Sequence, residues 1–165
     1  MSIKKINSPT NNQDEKNNFN IQSYFTGIYN ILGGMSVLHR KINSRLDLYE
    51  ISINGVTKNA FEHLANYLNY SAKEMAEILP INVRTIQRYK RNNYFNSEVS
   101  DHILQIAEVS AKGTMVFKNK EKFISWINYP CYAFDNKTPI SLLRSKFGVD
   151  MVLDELGRLE HGIIS

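Results

Sequence analysis

The chain has 165 residues, 42% of them apolar and 22% charged, with a formal net charge of +4. Those values suit one compact globular domain or two small ones. The single cysteine, Cys131, excludes an internal disulfide and a cysteine-rich zinc site, and no run of about 18 apolar residues is present to span a bilayer. The opening MSIKKINSPTNNQDEKNN has no apolar stretch of the signal-peptide kind, so a reduced cytoplasmic location with no membrane association is expected.

Charge is unevenly spread. Between residues 80 and 100, Arg84, Arg88, Lys90 and Arg91 stand against Glu98 alone, whereas from 101 to 165 acids and bases balance. A smaller basic excess lies in residues 1–55. Excess positive charge concentrated in one short stretch is the footprint of a polyanion-binding surface.

Residues 1–18 are polar and asparagine-rich, too poor in large apolar side chains to offset ordering, and are expected to form a mobile tail. Residues 19–54 are expected to form an N-terminal helical region. Its first part is legible: Ile21, Tyr24, Phe25, Ile28, Ile31 and Leu32 make one helical stripe, stopped by Gly33-Gly34. That stripe suits core packing or a partner surface. Leu46 to Ile53 reads equally as helix or extended chain.

Thr57 is an N-cap for a helix carrying Phe61, Leu64, Ala65 and Leu68. Ser71 and Glu74 form an S-x-x-E capping box opening a short helix with Met75, Ile78 and Leu79 on one face, ended by Pro80. Asn82 caps a second short helix, Val83 to Arg91. Two short helices joined by about three residues have helix-turn-helix spacing, so residues 55–95 are expected to form a DNA-binding region. At about 100° per residue, Arg84, Gln87, Arg88 and Arg91 share one arc, Thr85 lies at its edge, and Ile86 points almost opposite. Arginine matches two guanine acceptors and glutamine matches adenine. Lys90 is better placed for a phosphate, which positions without specifying. A basic helix face can also be plain solvated surface, and that alternative stays open on spacing alone.

Residues 96–165 are expected to form a small helical C-terminal domain. A helix starts near Asn96-Ser97, carries Val99, Ile103, Ile106, Ala107 and Ser110, and runs toward Lys112-Gly113. Another near Glu121 carries Phe123, Ile124, Trp126 and Ile127 and is ended by Pro130. Thr138-Pro139 starts a third, in which Ile140, Leu143 and Phe147 follow and Gly148 is the stop. A last helix holds Val149, Val152, Leu153, Leu156 and Leu159, then Gly162. Trp126, Phe123 and Ile127 read as core. The class expected is all-α.

Catalysis is not expected. His39, His63, His102 and His161 are scattered without H-x-x-x-H spacing, no phosphate-cradling glycine loop occurs, and nothing beside Cys131 activates it. No cofactor and no metal site is expected.

Two stretches carry a resemblance. VRTIQRYKRNNYFNSEVSDHILQIAEVSAKGTMVF, with Arg84-Thr85, Gln87-Arg88 and the Ser97–Asp101 run, resembles the central part of the Xre/MbcA/ParS family of antitoxins. KFISWINYPCYAFDNKTPISLLRSKFGVDMVLDELGRLEHGIIS resembles the family's toxin-binding domain in order: Trp126, Pro130, Thr138-Pro139, Leu142-Leu143, Gly148, Val152, Leu156 and Glu160-His161-Gly162. The resemblance covers about residues 56–165. Pro80 stands where related sequences often carry glycine, and residues 1–50 carry no recognisable motif.

The resemblance implies an antitoxin of a type II toxin–antitoxin pair, with a cognate RES-domain toxin that degrades NAD. It implies operator DNA as the second partner, autoregulation of the operon, and a homodimer within a larger toxin–antitoxin complex. It places toxin contact around the final helix: Arg144, Arg158, Glu160, His161, Gly162, Ile163, Ile164 and Ser165. His161 at a helix C-terminus also suits the helix dipole. A stand-alone helix-turn-helix regulator whose C-terminal domain only dimerises is the alternative. An interaction adaptor without DNA binding is a third reading.

Overall fold

In the computed structural model, which describes residues 12–162, the chain is all-α; among these residues the only extended pairings are the isolated bridges Thr57–Tyr94 and Cys131–Lys137. The helices are α1 (Asn12–Ile31), α2 (Met35–Leu38), α3 (Arg45–Asn54), α4 (Lys58–Leu68), α5 (Ala72–Ala76), α6 (Val83–Arg88), α7 (Ser97–Phe117), α8 (Lys120–Ile127), α9 (Pro139–Leu142) and α10 (Lys146–Glu160), with a 3-10 turn at Tyr132–Phe134.

Local chemistry explains most of the helix ends. Gly33 and Gly34 take φ of 99° and 64°, and the Gly34 N–H bonds back to the Tyr29 carbonyl, closing α1. The ambiguous stretch 46–53 is helical because Ser44 caps it, its Oγ accepting from the Asp47 N–H at 3.2 Å. Ser71 and Glu74 form the expected reciprocal capping box. Thr57, Asn82 and Asn96 cap α4, α6 and α7 through their side chains.

The spine of the molecule is α7. It packs against α1, α3, α8 and α10, and Ile103, Ile106, Ala107, Val109 and Ser110 along it are fully buried. Two glycines permit close approach to it. A Cβ on Gly27 would lie 3.2 Å from that of Ala111, and a Cβ on Gly113 would lie 2.1 Å from the Phe123 ring. One continuous hydrophobic core results, running from Phe25 and Ile28 through Phe61 and Leu64 to Phe123, Val152 and Leu156.

Several boundaries differ from the sequence reading. Residues 12–18, placed in the tail, belong to α1, while residues 1–11 lie outside those described. Gly113 does not slow α7, which runs on to Phe117 because the missing Cβ is what lets Phe123 seat against it. Gly148 is not a helix stop. It sits in the first turn of α10, its N–H donating to the Ser145 cap, and a Cβ there would fall 1.8 Å from the Leu142 carbonyl oxygen. Phe147 therefore leaves the apolar face of the preceding helix and becomes the exposed second residue of α10.

Candidate DNA- and partner-binding surfaces

Helices α5 and α6 lie against each other, separated by a six-residue connection, Glu77 to Asn82, rather than about three. The Leu79 N–H still bonds to Met75 O, so a last helical turn persists before Pro80. Met75, Ile78, Leu79 and Ile86 are buried between the pair and the core. Ile86 is 1% exposed and anchors α6, a burial worth about 1.5–3 kcal/mol. On the opposite side Arg84, Gln87 and Arg88 are exposed, with Thr85 and Val83 half-buried at the margins. Neither Arg84 nor Arg88 makes an ion pair among the described residues.

The expected helix to Arg91 is cut short. Tyr89 turns extended (φ −67°, ψ 139°) and stacks on Phe95, with ring centroids 5.3 Å apart. Phe95 in turn meets Phe61 edge-on at 5.6 Å. The loop 89–95 is pinned to the start of α4: the Lys58 ammonium donates to Tyr89 O at 2.8 Å, Lys58 N–H to Asn93 O, and Asn59 N–H to Arg91 O. Arg91 thus leaves the arc of Arg84, Gln87 and Arg88, and its Nε bonds to Glu62 at 3.2 Å. Lys90 remains exposed beside the helix end. What the sequence reading missed is this clamp by Lys58 and Glu62, since side chains about 30 residues apart leave no periodic signal.

At the other end of the molecule the predicted contact residues divide. Arg144 is exposed between α9 and α10. Arg158 lies 2.9 Å from the buried Glu155 carboxylate, though no N–H is aligned on that oxygen. Glu160, still exposed, pairs with Lys112 of α7. His161 is the exposed C-cap of α10, its N–H bonded to Gly157 O, and Gly162 follows at φ 69°. Ile163, Ile164 and Ser165 lie outside the described residues. The Lys112–Glu160 pair borders a groove of about 340 Å³ between α1, α7 and α10, lined also by Ile21, Tyr24, Met115 and Leu153.

Exposed large apolar residues fall into stripes. Leu46, Tyr49 and Ile53 face outward on α3, and Phe147 and Met151 on α10; Ile21 on α1 and Met35 on α2 are isolated, Tyr94 and Tyr129 stand in loops, and Tyr132 opens the 3-10 turn. No helix among the described residues is long and apolar enough to cross a membrane.

A clamped two-helix unit with free arginines on one face, joined through a shared spine to a second helical layer, defines a helix-turn-helix protein with an appended C-terminal domain. Known proteins make that class specific. Residues 47–108 match the family described as the antitoxin Xre-like helix-turn-helix domain, and residues 112–162 the antitoxin Xre/MbcA/ParS C-terminal toxin-binding domain. A protein named Antitoxin Xre from Yersinia enterocolitica serotype O:8 is 32% identical over 80 residues, 48% of this chain and 54% of that protein. Another Antitoxin Xre, from Photorhabdus laumondii subsp. laumondii, is 25% identical over 113 residues, 67% of this chain and 76% of that one. The chain thus spans about half the length of the first of these curated relatives and three quarters of the second. It belongs to the Xre/MbcA/ParS antitoxin family. The two matched segments meet inside α7, so a single unbroken helix carries both.

Proposed function

We propose that the chain neutralises a cognate toxin by direct binding through its C-terminal domain, and represses its own operon through the helix-turn-helix. The toxin is of the NAD-degrading RES class, and the antitoxin itself acts by binding rather than by catalysis. The observation that carries the reading is the coexistence, on one α7 spine, of the free Arg84/Arg88 face and a segment matching a toxin-binding domain.

Arg84, Gln87 and Arg88 read base edges, with Thr85 at the helix start, while Lys90 neutralises phosphate. Arg91 serves the protein side, holding the loop through Glu62. Two copies match the two-fold symmetry of an operator. Arg144, Arg158, His161 and the segment from Gly162 to Ser165 contact the toxin; Glu160 joins them at the surface, tied to Lys112. The protein works in the cytoplasm, where both partners are.

The test uses the full chain and a duplex spanning the upstream region of its operon. Fluorescence anisotropy across a salt series should show tight binding that weakens steeply with salt. Affinity indistinguishable from that for a scrambled duplex would overturn the repressor role. Co-purification with the product of the adjacent reading frame tests the other half. DNA binding without any such complex would favour the stand-alone regulator.

A further inference from the structure

The geometry points to a toxin-docking face on the outer side of α10, centred on Phe147 and Met151, two residues outside the contact set that the resemblance implies. This inference rests on the proposed toxin binding and says where on the domain that binding is concentrated.

At 100° per residue, Phe147, Met151, Asp154, Arg158 and His161 fall within an arc of about 80°, at helical positions i, i+4, i+7, i+11 and i+14. All five are exposed. Phe147 is 82% exposed and Met151 47%. The core-facing side of the helix is already served by Val149, Val152 and Leu156, so the outer pair adds nothing to folding. An aromatic ring left in water beside a flexible thioether is the composition of a binding hot spot, because both lose apolar surface to solvent when a pocket covers them.

The same arc carries Arg158 and His161, about 16 Å and about 21 Å along the helix from Phe147 at 1.5 Å per residue. Glu160 lies about 140° away from the arc centre on the same count and is engaged with Lys112. The stripe is therefore apolar at its start and mixed in charge beyond it, with Asp154 exposed in the arc, Arg158 beside the Glu155 carboxylate and Lys146 paired with Asp150, while exposed Arg144 has no ion pair among the described residues. A fitting partner has an apolar pocket for Phe147 and a carboxylate near Arg144.

Two apolar stripes compete for this role. The α3 stripe of Leu46, Tyr49 and Ile53 begins at the edge of the segment matching the helix-turn-helix domain, whereas the α10 stripe lies wholly within residues 112–162, the toxin-binding match. The occupant of the α10 face is accordingly the toxin, not a second copy of this chain.

The test measures binding of full-length chain to the product of the adjacent reading frame by titration calorimetry, for the wild type, Phe147→Ala, and Phe147→Glu/Met151→Glu, with Leu46→Glu/Tyr49→Glu as the control. Thermal unfolding and operator binding verify that each variant is folded. The expected result is at least about 30-fold weaker binding for the double α10 variant, an intermediate loss for Phe147→Ala, and no change for the α3 control. Unchanged affinity of a folded double α10 variant would overturn the inference. A wild-type chain that binds no toxin overturns the proposed function itself, and the docking face with it. If the α10 variant instead abolishes self-association, measured by light scattering, the face belongs to a second copy and the inference fails.

Discussion

The Nε of Arg91 donates to the carboxylate of Glu62 at 3.2 Å, binding the loop that follows α6 back onto α4. The arginine that helical periodicity would place beside Arg84 and Arg88 is thereby turned toward the protein. Glu62 also meets Lys58 at 3.7 Å, and Lys58 holds the Tyr89 carbonyl. Removing one link of such a partly exposed network costs little, since solvent screens it.

That arrangement separates the arginines experimentally. Arg84→Ala or Arg88→Ala should each weaken operator binding by about 1–3 kcal/mol and relax base preference at one position. Arg91→Ala should weaken binding less, without changing sequence preference. Anisotropy against a set of single-base operator variants checks both. Equal loss of preference in all three would show that Arg91 swings out to read bases.

The anchor of α6 makes a stability prediction. Ile86 is buried at 1% exposure, so Ile86→Ala should destabilise the fold by about 2–5 kcal/mol, through lost transfer free energy and a residual cavity. Urea denaturation followed by circular dichroism gives the value. A cost below 1 kcal/mol would mean that α6 is not held by this contact.

Close approach at two glycines can be tested the same way. Gly148→Ala sets a methyl against the Leu142 backbone, and Gly113→Ala sets one into the Phe123 ring. Each should cost about 1–3 kcal/mol or more, despite the gain of about 1 kcal/mol that alanine brings inside a helix. Gly157→Ala is the control: nothing lies within 4 Å of its Cβ position, so that variant should be neutral or stabilised.

Acid stability should reflect Asp47. Its carboxylate accepts from the Asn43 N–H and the Ser44 hydroxyl and pairs with Arg40, which holds its pKa below the ordinary 3.8. A lowered folded-state pKa stabilises the fold at pH values above the unfolded pKa, and the contribution disappears as pH falls through the folded value. The stability difference between Asp47→Asn and wild type should therefore be full at neutral pH and shrink as pH falls below the ordinary carboxylate value of 3.8. A difference independent of pH would assign the loss to packing.

Elements set by neighbouring residues were open to sequence reasoning. The Ser71–Glu74 box, the Gly33-Gly34 stop and the Asn82 cap act over a few positions, so their residue types announce them. The errors lie where a residue's meaning depends on a distant partner. Gly148 and Gly113 look like helix punctuation, yet each is small because Leu142 or Phe123 needs the space. Lys90 and Arg91 continue the basic run, but the Tyr89–Phe95 stack ends the helix first. Among the candidate contact residues, Arg84, Gln87 and Arg88 are together on one exposed face as their spacing requires. Glu160, which the resemblance groups with Arg158 and His161, lies on a different side of α10 and pairs with Lys112. Phe147 was hidden for the same reason as Gly148, having been assigned to the wrong helix.

The most direct test of the whole account is growth of a bacterium expressing the adjacent reading frame, alone and together with this chain. The predicted result is arrest by the neighbour alone, relieved by the full-length chain and relieved equally by Arg84→Ala/Arg88→Ala from a separate promoter, with cellular NAD restored in step. Arrest that the full-length chain leaves in place, or no arrest at all from the neighbouring product, would contradict the antitoxin reading.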